Sequence, residues 1–305
     1  MAISINEGAW DAITERIYPC PSGKASVKLV STSWLDEHLD DDGLMIVDAQ
    51  PDLYDYVQQH IPGASYLSER ILRASLGGLP ARYISLESIQ SILRNIGVKA
   101  DLPIVVYTGT GAFKVQGDGA EQFMVAYTLA RFGHDKIYVL DGGIDKWKEE
   151  GRKLTKIFPR IKESRFKGKV NHDLFVEYEE FKRIKDQGGV LHLDTRPSKY
   201  YEGEGPWIRL GHIPGAVNLP WTELVDEKNS RLLRSDSELK TLFERHGASP
   251  DKSVILSCGT GRHATVPFFL LKWYFGYPKV RIFEGSFTEW TSYRDNPTLT
   301  GKSQF

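Results

Sequence analysis

The sequence predicts an α/β protein built as two tandem copies of one unit, each a mainly parallel sheet flanked by helices. Three observations carry this. From Val27 onward, short apolar runs alternate with segments of helical period, the pattern of strands joined by helical crossovers. Four short blocks then recur in the same order at a nearly constant offset of about 150 residues, and repetition at a fixed period marks a duplicated fold. Finally, 305 residues are enough for two domains, each burying its own core.

The elements follow in order. Residues 1–26 form a lead-in with a helix over 9–17. In the first unit, 27–154, strands are expected over 45–48, 103–107 and 136–140, helices over 86–96 and 123–132, and a helix start over 145–150. The charge-rich stretch that follows makes 155–172 a linker, and the second unit runs over 173–305. The repeat ties the two together. Asp48-Ala49-Gln50 at a strand end corresponds to Asp194-Thr195-Arg196. His60-Ile61-Pro62-Gly63-Ala64 recurs letter for letter as His212-Ile213-Pro214-Gly215-Ala216. Thr108-Gly109-Thr110-Gly111 returns as Cys258-Gly259-Thr260-Gly261. Asp141-Gly142-Gly143 with Trp147 returns as Glu284-Gly285-Ser286 with Trp290.

Composition narrows the function classes. With 41% apolar and 26% charged residues and a formal net charge of -1, the chain belongs with globular proteins, and neither nucleic acid nor an anionic membrane is expected as a partner. No apolar run reaches membrane-spanning length and the first residues lack a signal-peptide plan, so a cytoplasmic location is expected. The two cysteines, Cys20 and Cys258, are far apart and outside any zinc spacing. His192, His212, His246 and His263 show no helical pairing suited to a metal. No metal or cofactor is expected. Cys20, in the turn-rich Tyr18-Pro-Cys-Pro segment, reads as incidental.

The chemistry concentrates in Val254-Ile-Leu-Ser-Cys-Gly-Thr-Gly-Arg-His-Ala-Thr265. An apolar run bounded by glycines reads as a buried parallel strand, so Cys258 stands at its carboxyl end, the edge where ligands bind in open α/β sheets. A helix over 266–273 follows. Gly259 and Gly261 let successive N–H groups turn inward as an anion nest that favours a thiolate. Most lone cysteines are core residues; the C-G-T-G setting reverses that here. The first unit has Thr108 and Gln50 where the second has Cys258 and Arg196, so the first is expected to be inactive, a wall of the cleft. It also carries an extra polar loop over 113–122.

The order D-x-R, H-I-P-G-A, strand plus C-G-T-G, and E-G-S-F-T-E-W resembles the rhodanese superfamily, and within it the tandem thiosulfate and 3-mercaptopyruvate sulfurtransferases, over residues 27–296. The resemblance implies two rhodanese-like domains and a two-step reaction. Cys258 takes sulfur from a small anionic donor as a persulfide and passes it to cyanide or a thiol, with a thioredoxin-like reductant as a further partner. It implies that Arg196 grips the donor through a two-pronged guanidinium contact. The N–H groups of Gly259, Thr260, Gly261, Arg262 and His263 would hold the sulfur, and Asp194 would orient the strand end or Arg196. His212 is expected to tie its turn by hydrogen bonding, because its copy His60 stands beside a loop with no nucleophile. Tyr200, Tyr201, Trp207 and Trp221 read first as packing, with a lining of the cleft near Arg196 as the alternative.

Departures from the family pattern leave the donor open. Basic residues usual in thiosulfate-using loops are replaced by Gly259 and Thr260. The Asp and His that the mercaptopyruvate type brings from its first domain are missing over 67–82. A second donor arginine is Tyr200, and the usual Val-Thr pair is Arg262-His263. Arg262 either restores positive charge at the site or points to solvent from a helix start. Two rivals remain. A cysteine phosphatase needs an arginine six residues after the nucleophile, where this chain has Ala264. A persulfide carrier loaded by a protein partner shares the fold and is separated from a transferase only by turnover.

Overall fold

Each half folds around a five-stranded sheet whose pairings are all parallel. The computed structural model describes residues 16, 18–20, 25–112 and 117–303; apart from Arg16, the helix expected over 9–17 lies outside the described residues. The first half contains β1 (Val27–Val30), β2 (Met45–Asp48), β3 (Ser65–Tyr66), a hairpin of β4 (Arg73–Leu76) and β5 (Leu79–Tyr83), β6 (Ile104–Tyr107) and β7 (Ile137–Leu140). The second contains β8 (Phe175–Val176), β9 (Val190–Asp194), β10 (Ala216–Asn218), β11 (Ser253–Ser257) and β12 (Val280–Phe283). The sheet orders β1-β7-β6-β2-β3 and β8-β12-β11-β9-β10 are the same topology. Both central strands, β6 and β11, are near-continuous apolar runs because neighbouring strands and helices enclose them on every side.

The helices are α1 (Thr32–Glu37), α2 (Leu53–Gln58), α3 (Leu86–Asn95), α4 (Ala120–Arg131) and α5 (Gly143–Glu149), then α6 (Tyr178–Ile184), α7 (Ser198–Glu202), α8 (Asp236–Arg245), α9 (Thr265–Phe268) and α10 (Ser286–Ser292). Serines start the amphipathic pair α3 and α8 by accepting a backbone N–H; in α8 the Ser235 and Glu238 side chains form a reciprocal capping box. α9 continues as a π-helical stretch, Phe269–Tyr274, so the expected helix over 266–273 is present with a wider last turn.

α4 is buried along its whole length, and its polar residues Glu121, Gln122, Thr128 and Arg131 are each hydrogen-bonded or ion-paired. One side covers the first sheet. The other meets α9, with Phe123 against Phe269 and Tyr127 edge-on to Phe268, each pair at 5.2 Å. A single apolar cluster therefore runs from Val27 and Val106 through α4 to Val254 and Leu256. The two halves thus share one core.

The repeated histidines do the same work in both halves. His60 bonds the Tyr56 and Ile157 carbonyls at 2.7 and 3.1 Å and lies on the Tyr56 ring; His212 bonds those of Tyr201 and Ser303, both at 2.8 Å, and lies on the Tyr201 ring. Each sits at an isolated bridge, to Thr155 and Leu299 respectively, pinning the segment that leaves its sheet. Before His212, Gly211 has φ +91° and approaches Leu299 so closely that a Cβ would lie 1.8 Å from its carbonyl oxygen, which only glycine permits.

Candidate active site

β11 lies between β9 and β12 and ends at Ser257, so Cys258 opens the loop that leads into α9. The loop's outer backbone is stitched to α10: Cys258 N–H donates to Ser286 Oγ at 3.1 Å, and the Cys258 and Gly259 carbonyls accept from Phe287 and Thr288. Ser286 holds φ +52°, where its counterpart Gly143 has +59°. A serine accepts this left-handed conformation here in return for two hydrogen bonds, since its hydroxyl also donates to the Phe283 carbonyl. Gly259 and Gly261 are required by close approach. A Cβ would come within 2.8 Å of the Trp207 ring in the first case and of the Glu284 carbonyl in the second.

Among the described residues, none accepts a hydrogen bond from the backbone N–H groups of Gly259, Thr260, Gly261, Arg262 or His263. The corresponding loop of the first half is filled by its own side chains. Thr108 N–H donates to Gln122 Oε1, Thr110 N–H to Asp145 Oδ2 at 2.9 Å, and Ala112 N–H to Asp55 Oδ1 at 2.8 Å. The amides after the thiol are thus open, whereas two of those after Thr108, on Thr110 and Ala112, are taken by carboxylates. Cys258 itself is 2% exposed, and the ring of Trp207, whose indole N–H donates to Thr288 Oγ1, lies against the next residue, Gly259.

Arg196 is not a surface residue. It is 1% exposed, lies between the rings of Phe287 and Trp207, and spends its Nε and Nη2 on Asp194 and its Nη2 also on the Gly211 carbonyl. The two-pronged contact expected with a donor is therefore made to Asp194, which stands two residues earlier at the strand end. Only Nη1 is left, buried and without a partner. In the first half Asp48 has no such cation. The Tyr107 phenol and Gln50 take its oxygens, and burial pushes its carboxyl up to about 6.

Arg262 neither faces a donor nor points to solvent. Its guanidinium is held by Glu69, by Asp118 at 2.6 Å and by Glu121 at 2.7 Å, all from the first domain. His263, expected among the sulfur-holding residues, turns its side chain to the same cluster, with Nε2 2.7 Å from Asp118 and its ring stacked on Trp221 at 5.1 Å. Burial works against the Asp118 carboxylate, but the His263 hydrogen bond and the Arg262 charge hold it well below the usual range. Burial pushes Glu121 up to about 7, against the pull of Arg262. An Asp–His pair across the domains therefore exists, built from positions other than 67–82. That segment instead sends Arg73, whose Nη1 donates to the Thr260 carbonyl at 2.8 Å. Of the aromatic residues, Trp207 and Tyr200 stack edge-on beside Arg196, Tyr201 packs on His212 and Trp221 on His263.

Sequence reasoning missed Glu69, Arg73, Asp118, Glu121 and Ser286. Asp118 and Glu121 fall in the polar stretch 113–122, which was a signal, although the helix α4 already begins at Ala120 and takes in Glu121; the others carry none that local pattern could expose. Beneath the loop, His192 Nε2 meets Ser257 Oγ at 2.7 Å, and burial lowers its imidazole from 6.5 to about 4. Above pH 6.5 both folded and unfolded chains hold this ring neutral. As the pH falls from there to about 4, the unfolded chain binds a proton that the folded chain refuses, and stability drops by about 1.4 kcal/mol per pH unit. Asp48 and Glu121, raised by burial, act with the opposite sign over part of this window. The comparison of wild type with His192→Gln isolates the histidine: the variant should lose less stability in urea between pH 7 and 4.5, and equal losses would refute it.

Comparison with known proteins agrees with this architecture. The Rhodanese-like domain family matches residues 31–150 and again 177–293. A relative from Synechococcus elongatus, provisionally named a thiosulfate sulfurtransferase, is 35% identical, covering 92% of this chain and 87% of that one. The sulfur carrier protein TtuD of Thermus thermophilus is 30% identical over 90% of this chain and 97% of its own. The crystal structure of SseA from Escherichia coli, a 3-mercaptopyruvate sulfotransferase by its description, superposes with a TM-score of 0.74 at 29% identity, covering 85% of this chain and 98% of that one. With both halves matched and the open amide loop confined to the second, this chain belongs to the tandem-domain rhodanese sulfurtransferase family.

Proposed function

We propose that the protein moves a sulfane sulfur from a small anionic donor, thiosulfate or 3-mercaptopyruvate, to cyanide or a thiol through a persulfide on Cys258. The observation that carries this reading is the run of five backbone N–H groups, 259–263, left open among the described residues directly after the thiol, while in the first half the N–H groups of Thr110 and Ala112, which match Thr260 and Arg262, are taken by carboxylates. The Cys258 thiolate attacks the outer sulfur of thiosulfate, the S–S bond breaks, and sulfite leaves with the electron pair. With 3-mercaptopyruvate the C–S bond breaks instead, and the enolate of pyruvate leaves and takes a proton. The open amides stabilise negative charge on the terminal sulfur as an oxyanion hole does for oxygen. The acceptor then attacks that sulfur, and Cys258 departs as thiolate.

Intact mass after incubation with each donor, followed by cyanide, tests the reading. A gain of one sulfur atom, lost with release of thiocyanate over many cycles, supports the transferase and identifies the donor. Likeness to a sulfur carrier favours a second reading, in which a protein partner loads Cys258; loading only by such a partner, with no gain from either small donor, would move the assignment there.

A further inference from the structure

Three arginines surround the Cys258 loop, and they differ in what remains free. Arg262 has all its nitrogens engaged by three carboxylates. Arg196 retains Nη1, buried and without a partner. Arg73, entering from the first domain at the start of β4, gives Nη1 to the Thr260 carbonyl, and its Nε is also buried without a partner. Its side chain is 11% exposed, and its nearest carboxylate, Glu69, stands 3.8 Å away and is itself engaged by Arg262. Arg73 is thus a buried cation with weak compensation, fixed two residues from the nucleophile. A buried charged N–H left unpaired is costly, and an arriving anion recovers that cost.

We infer that Arg73 is a donor-binding residue supplied across the domain interface, its charge and unused Nε–H serving, with Nη1 of Arg196, the carboxylate or sulfonate group of the sulfur donor. This rests on the proposed function for the identity of the donor. It also assigns the inactive domain a direct part in substrate selection: a donor with no anionic group would leave both guanidinium N–H groups unsatisfied and be rejected.

The test measures binding and loading separately. In a Cys258→Ser background, which binds without reacting, calorimetry with thiosulfate and with 3-mercaptopyruvate should show affinity weakened about 10- to 100-fold by Arg73→Met and less by Arg73→Lys, as expected for one charged hydrogen bond. In the Cys258 protein, Arg73→Met should raise the donor concentration for half-maximal loading by a similar factor. Discharge of preloaded persulfide by cyanide should stay within about twofold, because the donor has left by then. Thermal midpoints identify any variant that has lost its fold, and Arg73→Lys then stands in. Unchanged affinity, or loading and discharge slowed together at constant half-saturation, would show that Arg73 only supports the loop. Arg73-dependent binding without loading of the wild type would overturn the proposed reaction and leave this inference standing; no binding of either anion would overturn both.

Discussion

Cys258→Ser is expected to fold normally and to gain no sulfur from either donor, with turnover reduced by at least about 10⁴-fold, the scale seen when a nucleophile is removed from an otherwise intact site. The fold should tolerate the change because the anchoring contacts of residue 258 are backbone ones: its N–H to Ser286, its carbonyl to Phe287. The chemistry should not tolerate it. A hydroxyl is far weaker as a nucleophile than a thiolate, and among the described residues no base is hydrogen-bonded to the side chain at 258 to activate it. Intact mass and thiocyanate release measure both points. Sulfur retained by the serine variant would place the carrier at the half-buried Cys20, the other cysteine of the chain.

Arg262→Met is expected to be the most destabilising single change at the interface, costing about 3–5 kcal/mol, because it leaves Glu69, Asp118 and Glu121 crowded around an apolar side chain. Arg262→Lys should recover only part of this, since one ammonium cannot present three forked contacts at once. Sulfur loading should fall with stability, as the cluster holds the first domain against the loop through Arg262 and His263. Urea midpoints for the three proteins, measured beside loading rates, check the prediction. Equal midpoints for wild type and Arg262→Met would mean that water compensates these carboxylates and that the apolar contact of α4 with α9 suffices to hold the domains.

Much of the fold was legible because duplication prints the same local signals twice. The two H-I-P-G-A blocks, the two strand-end aspartates and the two glycine loops located equivalent elements, and the matching sheet orders follow from them. The copy also set architecture apart from chemistry: His60 beside a loop with no cysteine marked His212 as a tie for the chain, and Thr108 opposite Cys258 marked which half carries the thiol. The site was legible as far as backbone pattern reaches, to the thiol and its run of amides. It was misread in the two-pronged contact expected of Arg196, whose fork is spent within the chain, and at Arg262, where a charged side chain near a nucleophile suggested a substrate contact or solvent. Asp194 takes the first arginine because the two lie two residues apart at one strand end. First-domain carboxylates take the second.

What the sequence by itself determined is therefore the duplicated parallel-sheet architecture and the place of Cys258 just after a central strand, which rest on periodicity and contiguous motifs. Only the tertiary structure decided which charges address the loop. Arg73 reaches Thr260 over 187 residues, Glu69 reaches Arg262 over 193, and Glu121 reaches Arg262 over 141. A single sequence carries no local record of such pairs. They form because α4 and α9 bury their apolar faces on each other, and that packing sets the distance at which ions of the two domains must then be satisfied.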